Sequence, residues 1–169
     1  DKQVAMSQIS LHDLEELGTI FGRKERLADG IQNPVPAIDS RKISGGEIFF
    51  ALKGEHADGH AFVQTAFKNG AALAVVSNDW VESASQEPGN EALFAEHLFL
   101  SVRDPLSALQ QLANRYRKKF QIPVVAIAGS NGKTTTKEMT AAVLGTTFRV
   151  LATAGNFNNH IGVPLTLFG

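Results

Sequence analysis

The sequence predicts an α/β fold in two parts: a small mixed α/β unit, then the start of a parallel-sheet unit. Three observations carry this reading. Short, nearly continuous apolar runs at 47–52, 72–76 and 124–128 have the character of strands covered on both faces. Between them lie stretches with helical spacing, at 60–69 and from Pro105 to about 119. The run 124–128 leads into Gly129-Ser130-Asn131-Gly132-Lys133-Thr134-Thr135-Thr136, a glycine-rich turn opening a helix.

In chain order, Ser10 is placed to cap a first helix carrying Leu11, Leu14 and Leu17 on one face, with Gly18 ending it. Residues 27–36 are polar and proline-broken and read as a loop or short hairpin. Residues 42–46 read as a turn, 47–52 as a strand and 53–59 as a glycine- and charge-bearing loop. The helix at 60–69 should bury Ala61, Phe62, Ala66 and Phe67, with Gly70 as its stop, and 72–76 is the next strand. The composition then shifts at 78–96, where 83–91 reads as an exposed loop, before a strand at 97–102. Pro105 opens a helix with an apolar stripe of Leu106, Leu109, Leu112, Ala113 and Tyr116. Arg115, Arg117, Lys118 and Lys119 form its solvated basic end. The boundary between units falls near Leu106, giving 1–105 and 106–169. The second unit continues with a helix at 133–144, turning Met139, Ala142 and Val143 inward, and a strand at 148–152.

Composition narrows the function classes. A hydrophobic content of 43% with 20% charged residues belongs to a globular chain with a core. A net charge of -1 leaves no electrostatic footprint for nucleic acid or a membrane surface. With no cysteine there is neither a disulfide nor a thiolate metal site, which suits a cytoplasmic protein. No apolar run is long enough to span a bilayer. Met6 is a candidate native initiator, and the apolar run 164–169 reads as a chain cut at its end.

The chemistry concentrates in two loops. Gly129 and Gly132 let the backbone approach a ligand, and the amides of 131–135 would face an anion at the positive end of a helix dipole. Lys133 adds a full charge, and Thr134 adds a hydroxyl suited to a phosphate-bound magnesium ion. The full phosphate-loop pattern wants a glycine where Ile127 stands, so an ordinary strand-to-helix turn with a surface lysine stays open on these residues alone. The second loop, 153–164, follows a strand in the same unit and should lie beside the first. Its Asn156, Asn158 and Asn159 can donate and accept toward a base or polar substrate, or can serve as turn residues. His160 has no partner nearby in sequence that would make a triad or metal site.

Three segments, in order, resemble the Mur ligases of peptidoglycan synthesis. They are Asp39-Ser40-Arg41 through Gly54, the shortened glycine loop Gly129 to Thr135, and Thr153-Ala154-Gly155-Asn156-Phe157-Asn158-Asn159-His160-Ile161-Gly162-Val163-Pro164. The family's ATP loop has this short spacing, so Ile127 fits it. With Lys137-Glu138-Met139-Thr140, the third segment points to the member that adds the final dipeptide rather than the third residue.

The resemblance implies a UDP-binding first domain followed by the start of a P-loop ATPase domain. It implies ATP and Mg2+ as cofactors, with Gly129, Ser130, Asn131, Gly132, Lys133, Thr134 and Thr135 at ATP and Thr134 on the metal. Ser40, Arg41, Lys53, Asn156, Asn158 and Asn159 are implied at the UDP substrate. The substrates would be UDP-N-acetylmuramoyl-tripeptide and D-Ala-D-Ala, joined through an acyl phosphate in cytoplasmic cell-wall precursor synthesis. A magnesium-binding glutamate, a carbamylated lysine and a histidine would come from beyond Gly169, so this piece alone is expected to be inactive, with the sheet edges of its second part unpaired or paired to another chain. For Ser40 and Arg41 a turn with a surface arginine stays open on the residues alone. A third-residue-adding Mur ligase, another phosphate-loop enzyme such as a small kinase or GTPase, and a non-catalytic UDP-sugar-binding module are the competing readings.

Overall fold

The structure is a computed structural model that describes residues 9–27, 31, 34–55, 57–155, 157 and 159–168. Met6, parts of the 27–36 loop and His56 lie outside the described residues. The first helix forms where Ser10 caps it. In α1 (Leu11–Glu15) the Ser10 hydroxyl accepts from the Asp13 amide, while the Asp13 carboxylate accepts from the Ser10 amide at 2.9 Å.

Five strands follow in one sheet: β1 (Thr19–Gly22), β2 (Pro36–Ala37), β3 (Ile48–Phe50), β4 (Leu73–Ser77) and β5 (Leu98–Val102). Their spatial order is β1-β5-β4-β3-β2, parallel throughout except for antiparallel β1. Sequence reasoning misses β1, a short run with no alternation of its own. It is an edge strand, and Gly22 (φ 84°) lets it close onto β5, since a side chain there would collide with the His97 carbonyl.

Period-two alternation divides the sheet's side chains between two cores. Ile48, Phe50, Leu73, Val75, Leu98, Leu100 and Val102 face one side; Phe49, Ala74, Val76 and Phe99 face the other. The second side is covered by a 3-10 turn (Gly59–Phe62) running into α2 (Val63–Lys68), which buries Val63, Ala66 and Phe67. Ala61 and Phe62, expected inside, are exposed, because the 3-10 turn rotates the helical face by the time α2 begins.

Within 78–96 the exposed loop expected at 83–91 narrows to 85–89, and the rest of the stretch is helical. It forms α3 (Asn78–Ala84), capped by the Ser77 hydroxyl, and α4 (Asn90–Glu96). Trp80, Val81, Leu93 and Phe94 recur at helical spacing and pack on the second core. Phe94 meets Phe99 edge-on at 5.2 Å and Trp80 at 6.0 Å. A few apolar anchors thus decide the structure of an otherwise polar segment.

The first side is covered by α5 (Pro105–Lys118). The Asp104 carboxylate accepts from the Leu106 and Ser107 amides, and Pro105 occupies the first turn. Ala108, Leu109, Leu112, Ala113 and Tyr116 are buried against the sheet. The basic end is not simply solvated: Arg115 pairs with Glu16, and Lys119 reaches Asp13 at 2.6 Å, tying α5 to α1. Although the sequence assigns α5 to the second unit from residue 106, its stripe lies in the core of the first.

Beyond α5 the chain follows the sequence reading in part. α6 (Lys133–Gly145) forms as expected. Residues 124–128 and 148–152 form no strand, and Val124, Val125, Phe148 and Leu151 are exposed. Met139, Ala142 and Val143 also face outward. A buried parallel strand requires a ladder beside it, and neither segment pairs with the described sheet. The apolar pattern is present without the neighbours that would use it. The chain then returns: α7 (Gly162–Thr166) packs on α5, and Phe168 stacks on Tyr116 at 4.9 Å.

Leu109 is fully buried between α5 and the sheet, whereas Leu11 is 40% exposed. Leu109→Ala should lower the unfolding free energy by about 3 kcal/mol in urea denaturation, and Leu11→Ala by less than about 1 kcal/mol.

Candidate functional site

Two groups of residues gather where the sequence points. The first lies at the carboxyl ends of the parallel strands β2, β3 and β4. Just beyond β2, Asp39 caps a 3-10 turn (Ser40–Lys42). Ser40 is buried, and its carbonyl accepts from the Asn69 side-chain Nδ2 at 2.8 Å. Arg41 is exposed and held by its neighbour: Nε and Nη2 donate to the two Asp39 oxygens at 2.9 and 2.8 Å. These hydrogen bonds hold the Asp39 carboxyl down to about 2.

After β3, exposed Lys53 bridges to Asp58 through backbone. Asp58 accepts from the His60 amide and from His60 Nδ1 at 2.6 Å. The Ser77 amide, at the end of β4, donates to His60 Nε2 at 3.0 Å. That bond fixes the tautomer: Nε2 accepts, so Nδ1 carries the proton and donates to Asp58. Burial pushes the Asp58 carboxyl up, but the His60 bonds outweigh it and the net shift is down. Ser40, Arg41 and Lys53 are therefore brought to one sheet edge, and His60, at the end of the loop from Lys53, links two of its loops. Glu47 is a residue that sequence reasoning missed. Burial raises its carboxyl, yet bonds from the Ser44 amide and hydroxyl and the Gly45 amide leave it lowered and fix the turn before β3.

The second group is the glycine loop. Gly132 has φ 75° and caps α6 with no side chain of its own, and a Cβ there would meet nothing within 4 Å. Among the described residues no side chain caps this end, so the first-turn amides and the positive end of the dipole face open space. Lys133 Nζ donates to the carbonyls of Gly129 (2.5 Å) and Ser130 (3.3 Å), which places the ammonium at the same end. Ser130, Asn131, Thr134 and Thr135 are exposed around it. This arrangement suits a phosphate: backbone donors and a hydroxyl with no partner among the described residues, a cation, and room for a group to approach.

The asparagine loop lies beside α6. Lys137 Nζ, one turn beyond Lys133, donates to the carbonyls of Thr153 (2.6 Å) and Gly155 (3.2 Å). Asn156 and Asn158 lie outside the described residues. Asn159 uses its side-chain oxygen locally, accepting from the Ile161 and Gly162 amides at 3.1 and 2.7 Å at the start of α7. The Gln110 side chain donates to the His160 carbonyl at 3.0 Å, which ties this loop to α5. Among the described residues no three His, Cys, Asp or Glu side chains are grouped to hold a metal ion.

Comparison with known proteins matches these two parts to two domains of one family. Residues 37–117 match the Mur ligase family, catalytic domain, and residues 127–169 match the Mur ligase middle domain. The chain belongs to the Mur ligase family. Among its relatives, the Bacillus subtilis UDP-N-acetylmuramoyl-tripeptide--D-alanyl-D-alanine ligase is 48% identical over 78% of this chain and 26% of its own length. The Synechocystis protein of that name is 39% identical over 95% of this chain and 34% of its own length. Among solved structures, MurF from Acinetobacter baumannii is similar with a TM-score of 0.73 and 34% identity, covering 98% of this chain and 34% of that one. MurF from Thermotoga maritima in complex with ADP gives 0.66 at 29% identity, over 80% and 29%. This Mur ligase chain thus spans about a quarter to a third of the relatives it matches. Its sheet-edge group falls in the first matched domain and its glycine and asparagine loops in the second.

In an NMR titration Asp39 should titrate at about 2, and Arg41→Ala should move it up toward the ordinary 3.8. A depressed carboxyl contributes stability that is fully present above its unfolded value. The Asp39–Arg41 contribution should therefore persist at neutral pH and disappear as pH falls from about 4 through about 2.

Proposed function

We propose that the full-length protein is an ATP-dependent ligase that joins D-Ala-D-Ala to UDP-N-acetylmuramoyl-tripeptide in cytoplasmic peptidoglycan precursor synthesis. The observation that carries this reading is the uncapped, glycine-led start of α6 with Lys133 folded against it, within a chain that also holds the sheet-edge group at Ser40, Arg41 and Lys53. Names shared by the relatives supply the substrates, and the ADP complex of a similar structure favours a nucleotide at the loop.

The chemistry follows from the residues. Phosphoryl transfer to the tripeptide carboxylate needs positioning and charge neutralisation more than a covalent protein group. The 129–135 amides and Lys133 would hold the β- and γ-phosphates. Thr134, with phosphate oxygens, would ligate Mg2+, which supplies further charge neutralisation when bound. The D-Ala-D-Ala amine would then attack the acyl phosphate, forming the amide and releasing phosphate. Ser40, Arg41 and Lys53 would meet the uridine diphosphate, and Asn156, Asn158 and Asn159 would face the UDP-sugar or the nucleotide. We divide the chain at 105/106, with α5 as the element shared by the two domains. Residues 1–169 alone would lack activity, since the relatives carry about three times this length.

Lys133→Ala in the full-length protein should reduce phosphate release by about a thousandfold, by removing a charge aimed at the transferring group. Its melting temperature should stay within about a degree, because among the described residues the ammonium bonds only to exposed loop carbonyls. Retained activity in a variant with an unchanged melting curve would contradict the assignment.

A further inference from the structure

Lys133 and Lys137 stand one turn apart on α6, so they share a face of the helix. Each reaches a loop, but in different ways. An ammonium has three donors and no acceptor. Lys133 directs two bonds to the glycine loop, at Gly129 and Ser130, and stands at an open helix end. Lys137 meets three acceptors: the Thr153 carbonyl, the Gly155 carbonyl and Glu138 Oε1 at 3.0 Å. Its side chain is only 18% exposed. Its donors are thus matched to acceptors within the protein, which makes it ill suited to bind a substrate anion directly.

The loop it holds needs an anchor. Residues 148–152 make no ladder, so no strand delivers the chain to Thr153. The far end is fixed by the Asn159 oxygen on the Ile161 and Gly162 amides and by Gln110 on the His160 carbonyl. At the near end, Lys137 provides the side-chain bonds to the backbone of Thr153 and Gly155. Gly155 has φ 48°, the left-handed turn that sends the chain into the asparagines.

We propose that Lys137 is a positioning residue that clamps the entry of the asparagine loop to the helix carrying the phosphate loop. Through it, the register of the substrate-facing loop is set by α6. The proposal rests on the ligase reading for the loop's role, while the clamp itself rests on the geometry.

The test measures steady-state kinetics of the full-length protein, with hydrogen exchange alongside. In Lys137→Met the KM for UDP-N-acetylmuramoyl-tripeptide should rise by about tenfold or more, as for loss of charged hydrogen bonds, with the KM for ATP within about twofold. Lys137→Arg, which keeps the charge and the donors, should recover part of that loss. Amides at 153–161 should exchange faster in Lys137→Met, with those of the sheet unchanged. An unchanged KM for the UDP-peptide, equal rises for both substrates, or unaltered exchange at 153–161 would overturn the proposal. So would a Lys137→Met protein that fails to fold, which would assign the lysine to the framework. If the wild type showed no turnover, the ligase reading would fall, and the exchange at 153–161 would still decide for or against the clamp.

Discussion

The apolar stripe of α5 is the contact on which the rest of the chain depends. Leu109 and Leu112 close one face of the five-stranded sheet, and Tyr116 continues the same surface to Phe168 near the far end of the chain. Arg115 and Lys119 fasten the helix to α1, and Gln110 fastens it to the asparagine loop. One helix therefore serves the core of the first domain and the footing of the second. Burial of its side chains supplies the non-directional driving force, and the polar bonds at its ends set the register.

The site groups are built differently from that core. At the sheet edge, caps and turns shape the candidate site: Asp39 over Ser40–Lys42, and Asp58 and His60 over the loop after β3. Their carboxyls are held low by donors from the same or a neighbouring turn, so the loops are fixed by charge-assisted bonds rather than by packing. At the glycine loop the fixed element is α6, and what it offers a ligand is mostly backbone. The two lysines divide the work there, Lys133 at the open helix end and Lys137 holding the adjacent loop. Binding residues on loops anchored by rigid elements are the expected arrangement for an α/β protein.

Much of this was legible in the residues. The runs around Ile48–Phe50 and Leu73–Ser77, the Ser10 cap and the Pro105 start all act through local rules, and local rules survive folding. The glycine loop was legible for the same reason, because Gly132 and Lys133 act through backbone angle and charge. Features that depend on distant partners were harder to read. The strand β1 exists because β5 pairs with it, and α3 and α4 exist because Trp80 and Phe94 find Phe99. Residues 124–128 and 148–152 show the converse, a strand pattern with no ladder among the described residues. Arg41 is paired with Asp39, and the Asn159 oxygen accepts from the Ile161 and Gly162 amides, local partners that composition could not reveal.

In the proposed reaction the glycine loop and the sheet-edge group act together. The most direct measurement is phosphate release by the full-length wild-type protein with each substrate omitted in turn. Release that requires ATP, UDP-N-acetylmuramoyl-tripeptide and D-Ala-D-Ala together is the predicted result. ATP turnover indifferent to both the UDP-peptide and the dipeptide would contradict it.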